Sequence, residues 1–255
     1  MKSFRGGLAS SIARPLCKKD CCDLKLVFSF LGRRVRTYIF VKLLLLSLCV
    51  QADFVSLENG RLEYDIKGTG DVVVLFEAGA ISGLSGWDTI WSRLPANIRA
   101  IRYSRRGEGA SSACVRELRA SDYVDDLEVL TEKLGVSKPF VYVAHSYGAK
   151  IARAYTQRHK EGVAAMLLVD PINPRDVDIV VSLNPENGEA ENNATKQSDR
   201  ASATENKWCF IEDIWDKSAS LGLLEMGDIP ITLIAGVKKH KDPKRTFDRD
   251  EARVL

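Results

Sequence analysis

The sequence predicts an α/β protein built on a doubly wound, mainly parallel sheet, and three observations lead there. Strand-like and helix-like segments alternate from about residue 60 onward. Several of the strands are continuous apolar runs, as in sheets covered on both faces. One of them ends in a serine among small residues, and a helix begins at once. A βαβα order closes most simply as parallel strands joined by right-handed helical crossovers.

Taken in order, residues 61–67 alternate polar and apolar side chains and read as an antiparallel edge strand. Residues 72–76 (VVVLF) form a β-branched run that wants burial on both faces. Residues 87–94 suit a short amphipathic helix and 99–103 a further strand. Ser121, followed by Asp122 and Asp125, is placed to cap a helix through Leu134. Tyr123, Leu127, Leu130 and Leu134 share one stripe of that helix, and Gly135 stops it. Residues 140–143, 163–169 and 229–235 are strands, and 147–160 a helix. Residues 172–227 interrupt the pattern with a polar tract at 189–207, so they are expected to be a lid-like or disordered excursion. Trp208, Phe210, Ile211, Ile214 and Trp215 would give that excursion one apolar helix.

Composition and charge narrow the function classes. The chain has 255 residues, 45% of them hydrophobic and 28% charged, which excludes collagen, coiled coil, multispan membrane protein and disulfide miniprotein. The net charge of +3 is unevenly placed: residues 1–52 carry ten Lys/Arg and two Asp, leaving −5 for the rest. A basic leader on a mildly acidic body argues against nucleic acid as a partner and for a targeting segment. Within it, Arg33, Arg34 and Arg36 precede an apolar stretch of roughly 14 residues and then Ala52. That is the anatomy of a secretory signal peptide, and it is short of the roughly 20 residues a membrane span needs. The expectation is a leader over 1–52, with the signal-like segment at 33–52, and one domain over 53–255. The protein would be secreted or periplasmic, touching a membrane only through the leader if that stays uncleaved. Cys17, Cys21 and Cys22 lack a His partner and zinc-like spacing, so no metal is expected. Cys114 and Cys209 either pair in an oxidising compartment or are unrelated thiols.

The chemistry centres on VYVAHSYGAKIA at 141–152. A strand runs into Ser146, flanked by Ala144 two before and Gly148 two after, and turns directly into a helix. This resembles the nucleophile elbow of the α/β-hydrolase family, G-x-S-x-G, with Ala144 in the first glycine position. The Phe76-Glu77-Ala78-Gly79-Ala80 turn is similar to the family's oxyanion loop, and residues 103–112 (YSRRGEGASS) resemble its D-x-R-G-x-G-x-S loop, with Ser104 for Asp. The resemblance spans 60–171 and 229–236. It implies the α/β-hydrolase fold, with an insertion after the sixth strand and the last strand and helix missing. The chain is thus expected to be cut short at its C-terminus, or else not a working hydrolase.

By the same resemblance, Ser146 is the nucleophile of a hydrolase acting on a carboxylic ester or similar small acyl substrate, without cofactor. The backbone N–H groups of Ala80 and Tyr147 would hold the oxyanion. The acid is expected at Asp170, in LLVDPINP after the 163–169 strand, with Asp242 as the alternative. A serine also needs an imidazole to take its proton. Of three histidines, His145 would point under the elbow, His159 lies at the far end of a helix, and His240 follows the last strand. None holds the family's position, so His240 is the alternative base and the expected activity is at most trace hydrolysis. A catalytically inactive hydrolase fold that binds a ligand or partner is the rival reading.

Overall fold

The computed structural model describes residues 53–223, 225–236, 244–248 and 252. The leader, His240 and Asp242 lie outside them. The sheet has seven strands among the described residues: β1 Asp53–Leu57, β2 Gly60–Lys67, β3 Val72–Glu77, β4 Ile98–Tyr103, β5 Phe140–His145, β6 Val163–Val169 and β7 Ile231–Ile234. Their order is β1-β2-β4-β3-β5-β6-β7. β1 and β2 run antiparallel, and β4, β3, β5, β6 and β7 are mutually parallel.

Residues 61–67 are therefore not the edge. β2 lies between β1 and β4, and the five-residue β1 takes the outside place. The Asn59-Gly60 pair of the connecting hairpin is the signal that marks it.

The helices are α1 Asp88–Trp91, α2 Ala120–Lys133, α3 Gly148–Arg158, α4 Asp176–Leu183, α5 Gly188–Asn206, α6 Ile211–Trp215 and α7 Lys217–Leu221. The expected helix over 87–94 is a 3-10 turn, Gly83–Trp87, followed by the single turn of α1. Ser121 does not cap α2. Arg119 holds the N-cap place, and the Asp122 carboxylate accepts its N–H at 2.7 Å.

Alternation along the parallel strands feeds two cores. Val73, Leu75, Tyr142, Ala144, Met166 and Leu168 face α2 and α3 on one side. Phe76, Ala100 and Val143 face Trp87 and Trp91 on the other.

Among its described residues, the 172–227 excursion, expected to be lid-like or disordered, carries four helices. Its polar tract is the 19-residue α5, whose side chains find partners instead of solvent alone. Asn192 donates to the Val177 carbonyl of α4, while Asp199 accepts from the Trp215 indole and Arg200 pairs with Glu212 of α6. The segment before α6 joins the body covalently, through a Cys114–Cys209 disulfide across 95 positions of sequence. Leu118 N–H also donates to the Cys209 carbonyl at 2.6 Å. At the far end of the sheet among the described residues, Ile231, Leu233 and Ile234 of β7 are 42%, 60% and 51% exposed.

A cross-link closing so long a loop removes much of the freedom of the unfolded chain. Replacing both cysteines by serine is expected to lower unfolding free energy by roughly 2–5 kcal/mol. Denaturant melts of the oxidised chain and the double variant measure this, and coincident midpoints would refute it.

Candidate active site

The parallel register brings the strand ends into line. Glu77 pairs with Ala144, His145 with Val169, and Val169 with Ile234. The next residue after β5 is Ser146 and the next after β6 is Asp170. Neighbouring strands lie about 4.8 Å apart, so the two residues emerge side by side at the carboxyl edge, where open α/β sheets bind their ligands. Their backbones are tied as well: Ser146 N–H donates to Val169 O at 3.1 Å, and Ile172 N–H to Ser146 O at 3.1 Å.

Ser146 has φ +48° and Asp170 φ +43°. For residues with a Cβ this left-handed conformation is uncommon and costs on the order of 1–2 kcal/mol. Both persist because ladder bonds fix the chain on either side. Small residues make the turn sterically feasible. A Cβ on Gly148 would sit 2.5 Å from the Ala78 carbonyl oxygen, and one on Gly79 2.6 Å from His145 Nδ1. Strand, helix and loop meet here with no room for a methyl group, while Ala144, in the other small position, is fully buried.

Ala80 lies on the turn after β3, and Tyr147 follows Ser146 at the N-cap of α3. Among the described residues, neither backbone N–H donates a hydrogen bond. Tyr147 is fixed through its side chain, with the ring stacked on Phe210 at 5.4 Å and the phenol donating to Asp213 Oδ2 at 2.9 Å. Burial, reinforced by the Asp213 carboxylate, holds that phenol well above its usual range, so it remains a donor. Lys150, one turn along α3, pairs with Asp213 Oδ1 at 3.1 Å and donates to its carbonyl. Burial lowers the Lys150 ammonium from its usual value, against the pull of Asp213.

Asp170 accepts from Gly236 N–H through Oδ1 at 3.2 Å, so its carboxylate faces the chain leaving β7. Asp170 thus directly follows β6, one position beyond the Val169 that pairs with His145. The alternative, Asp242, lies outside the described residues, as does His240. His145 does not point under the elbow; its half-buried ring lies beside Gly79, 6.3 Å from the Trp87 ring. His159 accompanies Glu128 at 2.7 Å, at the other end of α3.

Sequence reasoning passed over a buried charge cluster at the turn after β3. Arg105 meets Glu77 Oε1 at 2.5 Å and Glu108 Oε1 at 2.6 Å, with all three side chains at most 2% exposed. Tyr103 and Tyr142 both donate to Glu77 Oε2. Burial alone would lower the guanidinium, but Glu108 and Glu77 drive it well above its usual range. The signal was present: a glutamate ending a buried apolar strand demands a partner.

A family model for the alpha/beta hydrolase fold matches residues 72–209, more than half of the chain. The chain belongs to the alpha/beta hydrolase fold family. It is 30% identical over 105 residues to the uncharacterized protein YqjL of Bacillus subtilis, covering 41% of this chain and 42% of that one. It is 36% identical over 102 residues to an AB hydrolase superfamily protein of Gibberella zeae, covering 38% and 32%. The matched stretch thus spans less than half the length of these curated relatives. Among solved structures it resembles MGS-M2, an alpha/beta hydrolase enzyme from a Medee basin deep-sea metagenome library. That match has TM-score 0.53 and 18% identity, over 79% of this chain and 85% of the other. A hydrolase from Pseudomonas aeruginosa PA01 matches with TM-score 0.50 and 16% identity, over 74% and 81%. These likenesses carry the fold, and family membership supports a hydrolase-type function.

The strained elbow can be tested without any substrate. Glycine adopts φ near +48° freely, whereas alanine keeps the steric cost. Ser146→Gly is therefore expected to be more stable than Ser146→Ala by about 1 kcal/mol in denaturant melts. Equal stability, or the reverse order, would show that residue 146 is unstrained.

Proposed function

We propose that the chain is a serine hydrolase acting on carboxylic esters or similar small acyl substrates. The observation that carries this reading is Ser146, held at φ +48° in the sharp turn from β5 into α3, with Asp170 just past the end of the neighbouring strand and the Ala80 and Tyr147 N–H groups donating to no acceptor among the described residues. In this reading Ser146 Oγ adds to the carbonyl carbon as its proton passes to an imidazole. The Ala80 and Tyr147 N–H groups stabilise the oxyanion. The imidazolium returns the proton to the departing alcohol, and water then hydrolyses the acyl-enzyme by the same route. Asp170 orients the base. For the base we propose His240: Gly236 donates to Asp170, and the four residues from there to His240 can span up to roughly 14 Å of extended chain.

The test is hydrolysis of p-nitrophenyl acetate together with labelling by a fluorophosphonate probe. Ser146→Ala is expected to abolish both, and His240→Ala to lower kcat by about 10³-fold or more. Turnover indifferent to Ser146 would overturn the assignment, and turnover indifferent to His240 would place the base elsewhere. A second reading is favoured by one observation: among the described residues no imidazole is hydrogen-bonded to Ser146 Oγ. On that reading the fold binds a ligand or partner without catalysis, and absence of labelling in the unmodified chain would support it.

We further propose export, with a mature chain starting near Asp53. The signal-like pattern at 33–52 motivates this, and a Cys114–Cys209 disulfide is at home in an oxidising compartment. N-terminal sequencing of secreted or periplasmic protein should begin near Asp53, and intact Met1 or Lys2 in the cytosol would contradict it.

A further inference from the structure

The turn that carries Ala80 is strained, although Ala78 is buried and Ala80 packs against the main core. Ile81 lies at φ +60°, an outlier for a β-branched side chain, and is itself 56% exposed. Such a conformation persists only where the surroundings over-determine it, and here those surroundings are ionic. Arg105 Nη1 donates to the Ala78 carbonyl at 2.7 Å, and Nη2 to the Gly79 carbonyl at 2.7 Å. Glu108 Oε1, which pairs with the same Nη2 at 2.6 Å, accepts the Ile81 N–H at 3.1 Å.

Each contact fixes a peptide plane. A trans peptide points its C=O and N–H in opposite directions, so holding the Gly79 carbonyl on Arg105 aims the Ala80 N–H away from the guanidinium. Holding the Ile81 N–H on Glu108 fixes the next plane. Both peptide units that include Ala80 are thereby locked, and the two locks are one ion pair. Glu77, at the end of β3, anchors the guanidinium from the strand side.

From this geometry we infer that Arg105 is a positioning residue, acting with Glu108 to set the direction of the Ala80 N–H. This rests on the proposed role of Ala80 as an oxyanion donor. A lysine at 105 keeps the positive charge but not the planar fork that reaches two carbonyls and two carboxylates at once.

The full chain carrying Arg105→Lys tests it in two ways. Amide hydrogen exchange over residues 76–84 should speed by about tenfold or more, while residues 140–158 exchange as before. With p-nitrophenyl acetate, kcat should fall by about 10–100-fold, less than the loss typical of removing an oxyanion donor outright, with KM within about threefold. Exchange over 76–84 that does not change overturns the inference. So does exchange that speeds equally over 140–158, because the effect is then general loosening. If Arg105→Lys does not fold, Glu108→Gln decides the matter. It keeps an acceptor for Ile81 but weakens the pair, and should shift the same two readouts in the same direction by a smaller factor; no shift in either overturns the inference. Should the unmodified chain lack Ser146-dependent turnover, the hydrolase reading fails, while local exchange over 76–84 still decides whether Arg105 holds the turn.

Discussion

The hydrogen-bonded register of the parallel strands is the constraint from which the candidate site follows. In a parallel ladder every strand enters and leaves on the same side, so one set of pairings decides where all the exits fall. Here Glu77, Ala144, Leu168 and Leu233 are matched across β3, β5, β6 and β7, and each strand ends within two residues of that line. A shift of one residue between β5 and β6 would exchange the faces of every side chain on one strand. It would bury Ser146 or lift Tyr142 of β5 out of the core. The apolar packing on both faces of the sheet thus holds the chemistry in place at a distance.

What the ladder does not fix, buried charge does. On the β3 side the Glu77–Arg105–Glu108 cluster fastens the 78–81 turn. On the α3 side Asp213 gathers the Tyr147 phenol, the Lys150 ammonium and the Ala120 N–H at 3.2 Å. Ion pairs of this kind contribute little net stability, since desolvation offsets most of the attraction, yet removing one partner strands the other. Their use here is directional, because each pins backbone that apolar contacts could not orient. The segment containing Asp213 belongs to the excursion after β6, so this part of the excursion buttresses the elbow from behind.

The sheet and the elbow were legible because their signals are local. β-branched runs mark the parallel strands, and small residues around Ser146 mark a turn where backbones touch. The position of Asp170 at a strand end was legible because it directly follows the apolar 163–169 run. The edge strand β1 was missed because five residues carry too little pattern, although Asn59-Gly60 announced a hairpin. The helix α5 was misjudged because polarity was equated with disorder. Asn192, Asp199 and Arg200 meet partners on α4 and α6 that lie far off in sequence. The ion clusters fall in the same class: Glu77 and Arg105 are 28 positions apart, and only the crossing of strands reveals that they touch.

The disulfide also alters the connectivity of the molecule. The chain between Cys114 and Cys209, together with the sulfur bridge, forms a covalent ring that contains β5, α3, β6, Ser146 and Asp170. A single proteolytic cut within that ring, for instance in the exposed stretch between α4 and α5, leaves both pieces tethered around an intact elbow. A nicked molecule would migrate as one species until reduced, and only then separate into two.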